Sequence, residues 1–187
     1  MIDFNEGLHV YTESATGIKV PSVTTIISSG LSLDYSNIDP WYADFGTAVH
    51  KAVELFVLGT LDESTLMEEI KPYLIGFKKF LAETEFEVTE TEQKLFHKEL
   101  FVAGTADLFG LFGDKYSVVD IKSGVKQKWH GVQTAAYACM KAEDEEMGRF
   151  CLYLNKKGGY KLEKYSDPRD LTFFRNLVGV HHGKERY

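Results

Sequence analysis

The sequence lacks several features that would place a protein outside the reducing interior of a cell. It has only two cysteines, Cys139 and Cys151, in 187 residues, so we expect free thiols and no disulfide framework. It has no run of about 18 apolar residues, so neither a membrane span nor a membrane partner is expected. Its first residues lack the basic region and the apolar region of a secretory signal. The sequence therefore predicts a cytoplasmic protein.

Positive charge is also scarce, with 21 Lys and Arg against 28 Asp and Glu and a net charge of −7. This balance argues against a broadly basic protein that coats nucleic acid. Residues 1–70 hold eleven acids against Lys19 and Lys51, whereas residues 156–187 hold eight basic residues against four acids. The asymmetry is compatible with an acidic cleft beside a basic surface, and equally with ordinary solvated faces. The length predicts one domain over residues 1–187.

What the sequence does contain is a pair of aspartates placed symmetrically about a turn. The pair Gly113-Asp114 separates two β-rich runs and predicts a hairpin with a two-residue turn. In that register Asp107 lies directly opposite Asp120, with Cβ atoms roughly 5 Å apart. Lys122 shares the face of Asp120 because side chains alternate along a strand. Two like charges facing each other destabilise a sheet, so we expect a cation, most naturally a metal ion, between them.

The residues beside the two aspartates favour a buried hairpin. One face pairs Phe109 with Val118, and the other pairs Leu108 with Val119. Apolar residues on both faces are typical of a central sheet that is covered on both sides, and a charged group inside such a sheet needs a partner. The alternative, a solvated hairpin whose acids point into water, is therefore disfavoured.

The other patterns predict an α/β protein in which a central mixed β-sheet is flanked by helices. A small hairpin over residues 8–12 and 18–20 is followed by a short helix capped near Ser22. Longer helices are predicted over residues 42–58, 62–83 (interrupted near Pro72), 128–141 and from 168 to about 179. Strands are predicted over residues 85–89, 94–102, 105–112, 116–122, 150–155 and 160–165.

Five motifs occur in an order that resembles the PD-(D/E)XK nuclease superfamily. Within it they resemble the RecB-like and Cas4-like exonuclease branch, which includes the mitochondrial genome maintenance exonuclease and phage exonucleases. The resemblance extends over residues 20–137, and each motif is weak alone while the ordered set is specific. The motifs are Gly46-x-x-x-His50, an acid at Glu92, Gly104-x-x-Asp107, Asp120-x-Lys122 and Gln133-x-x-x-Tyr137.

The resemblance implies a restriction-endonuclease-like core and a DNA nuclease, most readily an exonuclease, that uses Mg²⁺ or Mn²⁺. It also implies DNA ends, single- or double-stranded, as substrate. Phage or mobile-element recombination or repair would be the setting, in the host cytoplasm if the protein is phage-encoded, with a recombination protein as a candidate partner. Relatives that carry an iron–sulfur cluster hold it with four cysteines, and two cannot supply that set, so no cluster is expected.

The resemblance also assigns roles to individual residues. Glu90 competes with Glu92 as the strand acid, and Glu92 is preferred on its spacing from Asp107. The expected catalytic residues are Glu92, Asp107, Asp120 and Lys122. The expected metal ligands are His50, Asp107, Asp120 and the main-chain carbonyl of Ile121, and the expected substrate contacts are Ser123, Gln133 and Tyr137.

Several alternatives stay open at the level of sequence. Lys122 could orient water or stabilise the phosphate, or it could merely neutralise the two acids. Tyr42 and Trp129 could stack on unpaired bases, although aromatic residues are more often part of a core. The same motifs would also suit a structure-specific endonuclease or a catalytically silent DNA-binding module. Strand polarity and oligomeric state are not predicted.

Overall fold

The computed structural model describes residues 1–5, 7–8, 10–34, 39–142 and 146–186 of the chain. A small antiparallel sheet comes first, formed by β1 (Ile2–Asn5), β2 (Val10–Glu13) and β3 (Lys19–Val20). A five-stranded sheet follows in the order β4-β5-β6-β7-β8. Its strands are β4 (Glu87–His97), β5 (Val102–Phe112), β6 (Lys115–Lys122), β7 (Gly148–Leu154) and β8 (Tyr160–Lys164).

Five α-helices within the described ranges pack around this sheet: α1 (Val23–Gly30), α2 (Pro40–Val57), α3 (Lys71–Thr84), α4 (His130–Lys141) and α5 (Arg169–Arg186). Local sequence explains where the early helices begin. The Ser22 hydroxyl accepts the Thr25 N–H to cap α1, and the Asp39 carboxylate accepts the Trp41 N–H to cap α2, as short polar side chains do at helix N-termini. None of these helices is both long and apolar enough to cross a membrane.

The large sheet is mixed because one connection inside it is a helical crossover. Strands β4, β5 and β6 pair antiparallel, β6 pairs parallel with β7 through the connection that contains α4, and β7 pairs antiparallel with β8. Parallel neighbours require such a crossover. The predicted α/β architecture, a restriction-endonuclease-like core with a central mixed sheet flanked by helices, is therefore confirmed.

Helices cover both faces of the sheet and bury a core on each. On one face, α1, α4 and α5 pack over Phe109 and Val118. On the other, α2 and α3 pack over Leu108, Val119 and Ile121. The two faces of the predicted hairpin are thus apolar for the predicted reason. Helix α4 is buried from end to end between His130 and Cys139, so its polar side chains face protein rather than water.

Four predicted elements differ from the structure. The predicted strands over 85–89 and 94–102 are instead the single strand β4, which has a bulge between Val88 and Glu90 and ends before a turn at residues 98–101. The predicted helix over 62–83 begins only at Lys71, because Pro72 occupies the first helical turn, where its missing N–H is not needed. Helix α5 continues past Gly179, since its packing against α1 and α4 outweighs the local preference.

Candidate active site

The two central aspartates lie where strands β5 and β6 stop pairing. The predicted register is confirmed from Phe112↔Lys115 to Leu108↔Val119, where the described ladder ends. Beyond that point the main-chain N–H of Ile121 donates to the Asp107 side chain, with Oδ2 accepting at 2.6 Å. Asp107 and Asp120 are both buried, with 8% and 2% exposure. The sheet therefore opens at the position that holds its two acids.

Asp107 forms a cluster with His50 of α2 and Glu92 of β4. One candidate ligand atom from each of these three side chains lies within 4.8 Å of the others, and His50 Nδ1 is 3.1 Å from Asp107 Oδ1. Glu92 stands opposite Asp107, since Thr91 pairs with Leu108 and Gln93 with Ala106 on either side. Three separate elements thus bring one imidazole and two carboxylates to one point.

The backbone of Glu92 adopts the left-handed region, with φ of +48°. This conformation is uncommon for a residue with a side chain and costs on the order of 1–3 kcal/mol. Glu90, the competing acid, has a different environment: its carboxylate accepts hydrogen bonds from Tyr116 Oη at 2.7 Å and from Lys141 Nζ at 2.6 Å. The structure therefore places Glu92, and not Glu90, beside His50 and Asp107.

The charges in this cluster are strongly coupled. Burial disfavours the charged form of His50, but the adjacent Asp107 carboxylate outweighs it and raises the pKa of His50 to about 9. Burial also opposes ionisation of Asp107, yet His50 and then Lys122 hold the Asp107 pKa below its ordinary value. Burial and the Asp107 charge together raise the pKa of Glu92 to about 7. Without a further cation, Glu92 is therefore the acid of the cluster that readily takes up a proton.

Asp120 has a different neighbour from Asp107. Lys122 Nζ lies 2.6 Å from Asp120 Oδ2 and donates to Gln133 Oε1 at 3.0 Å. Gln133 Nε2 in turn donates to Tyr137 Oη at 3.2 Å. The buried helix α4 thus holds the lysine through Gln133 and Tyr137. Of the predicted ligands, the described structure groups His50 and Asp107 with Glu92 and joins Asp120 to Lys122 instead.

Two motif glycines have a packing role. A Cβ on Gly104 would lie 2.9 Å from Tyr137 Cε1 and 3.2 Å from Val23 Cγ2, so only glycine lets the tyrosine ring lie against β5. A Cβ on Gly46 would lie 3.4 Å from the hydroxyl oxygen of Ser123. The predicted substrate contact Ser123 is therefore beside the helix that carries His50.

A cleft of about 770 Å³ is lined by His50, Glu92, Asp107, Lys122 and Tyr137. Tyr42, which is 65% exposed, and Trp129 both contribute to its walls. Trp129 also packs against a core and has Lys122 Nζ 5.8 Å from its ring centroid. Sequence reasoning missed Tyr11, whose hydroxyl is 2.7 Å from Thr105 Oγ1 at the cleft wall, because a tyrosine in a strand as short as β2 carries no distinguishing pattern.

Comparison with known proteins gives structural matches alone. No protein-family model and no curated protein sequence matches the chain. An alkaline exonuclease, LHK-Exo from Laribacter hongkongensis, aligns over 87% of this chain and 86% of its own, with 13% identity and a TM-score of 0.46. Its complex with dAMP aligns over 88% and 87%, with 12% identity and a TM-score of 0.42. A protein named SSO0001 aligns over 84% and 81%, with 16% identity and a TM-score of 0.36.

The chain resembles PD-(D/E)XK nucleases in its motif order and in its mixed-sheet core. The five motifs occupy the opened end of that sheet or the helices α2 and α4 beside it. The solved structures share only 12–16% of their residues with this chain, so they do not assign it an activity. Activity depends on the side chains at this end of the sheet.

Proposed function

We propose that the protein is a divalent-metal-dependent DNA nuclease that hydrolyses phosphodiester bonds, acting as an exonuclease. The observation that carries the proposal is the His50–Glu92–Asp107 cluster, which lies in an open cleft with Lys122 among the lining residues. Phosphodiester hydrolysis needs an activated water, neutralisation of the phosphate and help for the departing oxygen. A metal-ligand cluster beside a fixed cation meets these needs.

The donor set fits Mg²⁺ or Mn²⁺. Two carboxylates supply the hard oxygen ligands that both ions prefer, and one imidazole makes the set more favourable to Mn²⁺. We propose that His50, Glu92 and Asp107 hold the ion, with Asp120 and the Ile121 carbonyl as the further ligands that the family resemblance implies. When bound, the ion lowers the pKa of a coordinated water and balances the negative charge of the phosphate.

Lys122 supplies positive charge rather than a base in this proposal. Burial opposes its charge, but Asp120 and then Asp107 more than compensate, so the pKa of Lys122 lies above its ordinary value. An ammonium that stays protonated donates to water or to a phosphate oxygen, where it stabilises the negative charge that develops on the phosphate. Asp120 and Gln133 keep it at one place, which is the role that preorganisation requires.

The cleft favours a single strand end as the substrate. Its volume of about 770 Å³ is that of a small-molecule site, roughly 300–1,000 Å³, which is room for a nucleotide or two of one strand. Tyr42 and Trp129 offer aromatic faces on which unpaired bases stack. The family resemblance suggests phage or mobile-element DNA recombination or repair as the setting, with a recombination protein as a partner.

Digestion of end-labelled duplex, single-stranded and closed circular DNA with Mg²⁺ or Mn²⁺ tests the proposal. We expect metal-dependent release of nucleotides from linear DNA and resistance of the circles. Cleavage of circles would favour the structure-specific endonuclease instead. Binding without turnover in either metal would favour the silent DNA-binding module. Asp107→Asn should abolish turnover, and Glu90→Gln, which changes an acid outside the cluster, is the matched control.

A further inference from the structure

The metal-ligand cluster is reached from two cavities. Besides the main cleft, a second cavity of about 460 Å³ lies against the cluster. His50, Glu92, Thr47 and Thr105 line both cavities. These residues therefore form the boundary between the two spaces, and a molecule at the cluster has room on either side of it.

Lys94 gives the second cavity a cation at a fixed position. It lines the cavity and lies two residues from Glu92 on β4. Its ammonium sits over the Phe4 ring, 5.3 Å from the centroid, and the Phe4 ring stacks on Tyr11 with centroids 4.5 Å apart. Attraction between an ammonium and an aromatic face holds the charge without neutralising it.

The other charged groups of the cavity have partners nearby. Lys51 Nζ is 2.7 Å from Glu54 Oε2, and Glu92 faces His50 and Asp107. Among the described residues, no carboxylate forms an ion pair with Lys94, which is exposed. Lys94 is thus the cation of this cavity that is available to an anion from solution, and a phosphate group is the chemical class that suits it.

A phosphodiester carries a nucleotide on each side of its phosphorus atom. If the cleavable phosphate lies at the cluster, as the proposed function requires, the chain on one side occupies the main cleft. We infer that the second cavity binds the nucleotide on the other side of the cleaved bond, with Lys94 contacting its phosphate. This inference rests on the proposed function. It makes the second cavity the place from which a released mononucleotide leaves.

Mononucleotide binding tests the inference without any need for turnover. The wild-type protein is titrated with thymidine 5′-monophosphate and with thymidine 3′-monophosphate, and main-chain amide shifts are followed by NMR. We expect shifts at Phe4, Thr91 and Lys94, which line the second cavity and not the main cleft. The isomer that binds more tightly would report which end of the strand is released.

Variants at Lys94 make the test quantitative. Lys94→Gln should weaken mononucleotide binding about tenfold, the size expected for losing one charge-assisted contact. Lys94→Arg should restore most of the affinity, and Lys79→Gln, at an exposed lysine on α3 outside both cavities, should change nothing. Unchanged affinity in Lys94→Gln, or shifts confined to Tyr42 and Trp129, would overturn the inference.

A parallel DNA digestion separates this inference from the proposed function. If the protein cleaves DNA but Lys94→Gln leaves mononucleotide affinity unchanged, the second-cavity site is refuted and the proposed nuclease activity stands. Lys94-dependent mononucleotide binding by a protein that cleaves no DNA would refute the nuclease and leave a nucleotide site. In a working enzyme, Lys94→Gln should also relieve inhibition by added mononucleotide about tenfold, because inhibitor and product share one cavity.

Discussion

Replacing Lys122 by Met removes a buried positive charge while keeping most of the side-chain volume. Asp120, 2% exposed, would then lose the ammonium that lies 2.6 Å from its Oδ2. Breaking a buried ion pair from one side leaves the other charge uncompensated and costs about 3–5 kcal/mol. At roughly 2–4 °C per kcal/mol for a domain of this size, the melting temperature of the metal-free protein should fall by about 6–20 °C.

The same substitution should make stability depend on pH. Burial already raises the pKa of Asp120 while Lys122 opposes that rise, so the variant's Asp120 pKa moves further above the unfolded value of about 3.9. A carboxyl whose folded pKa is raised loses stability as pH increases from the unfolded pKa to the folded one. The difference in melting temperature between wild type and Lys122→Met should therefore be smaller at pH 5 than at pH 8.

Turnover distinguishes a catalytic Lys122 from one that only neutralises acids. Lys122→Met should lower metal-dependent turnover by roughly 10²-fold or more, and Lys122→Arg should not restore it, because a planar fork does not replace a point charge. Lys141→Met is a matched control. Lys141 Nζ pairs with Glu90 Oε2 at 2.6 Å, and this ion pair lies outside the cluster. Near-normal turnover in Lys122→Met, measured below its melting temperature, would refute the assignment.

Three further predictions concern the metal and the packing behind it. Asp107→Asn should abolish Mn²⁺ binding in calorimetry, and His50→Ala should weaken it by roughly 10–100-fold. Mn²⁺ affinity should rise from pH 6 to pH 9, because the pKa of His50 is raised to about 9 and that of Glu92 to about 7, and both groups must lose a proton to bind the ion. Gly104→Ala should lower stability by about 1–3 kcal/mol in thermal unfolding and also reduce turnover, because its Cβ would lie 2.9 Å from the Tyr137 ring.

Two of these predictions have a control variant within the chain, and the pH prediction has an outcome that would contradict it. Glu90→Gln should leave Mn²⁺ binding unchanged. A loss of Mn²⁺ affinity equal to that in Asp107→Asn would indicate that Glu90 holds the ion. Gly179→Ala, where an added Cβ meets no atom within 4 Å on helix α5, should be neutral or stabilising by about 0.5–1 kcal/mol. Equal losses of stability in Gly104→Ala and Gly179→Ala would contradict the explanation that Gly104 is needed for the Tyr137 ring to pack against β5. A pH-independent Mn²⁺ affinity would contradict the assignment of His50 as a ligand.

The elements predicted correctly from sequence are those whose geometry depends on neighbouring residues, through turn type and side-chain alternation. The turn at Gly113-Asp114 set the register of β5 and β6, because Gly113 adopts φ of +58° and alternation then assigns each residue to a face. The limits of β4 and α5 were not predictable in this way. Acidic and polar residues around Glu92 weaken the strand pattern, and α5 is held past Gly179 by helices distant in sequence.

Sequence patterns indicated which residues belong to the candidate site better than they indicated which of those residues contact each other. Local reasoning placed Asp107 opposite Asp120 and expected one cation to serve both. The contact between His50 and Asp107 joins residues 57 apart in sequence, so it depends on how α2 packs and not on any pattern near the aspartates. The left-handed backbone of Glu92 is likewise set by tertiary structure.

The observed groupings explain how two buried acids and the half-buried Glu92 are balanced in the metal-free protein. His50 in its protonated form balances Asp107, Lys122 balances Asp120, and Glu92, with its pKa raised to about 7, takes up a proton. At pH 6, below the pKa of Glu92, the metal-free site therefore carries no net charge. A bound divalent ion restores the same balance only if His50 and Glu92 each release a proton. Calorimetry at pH 6 in buffers of different ionisation enthalpy should therefore show proton release with Mn²⁺ binding, and release from one group alone in Glu92→Gln.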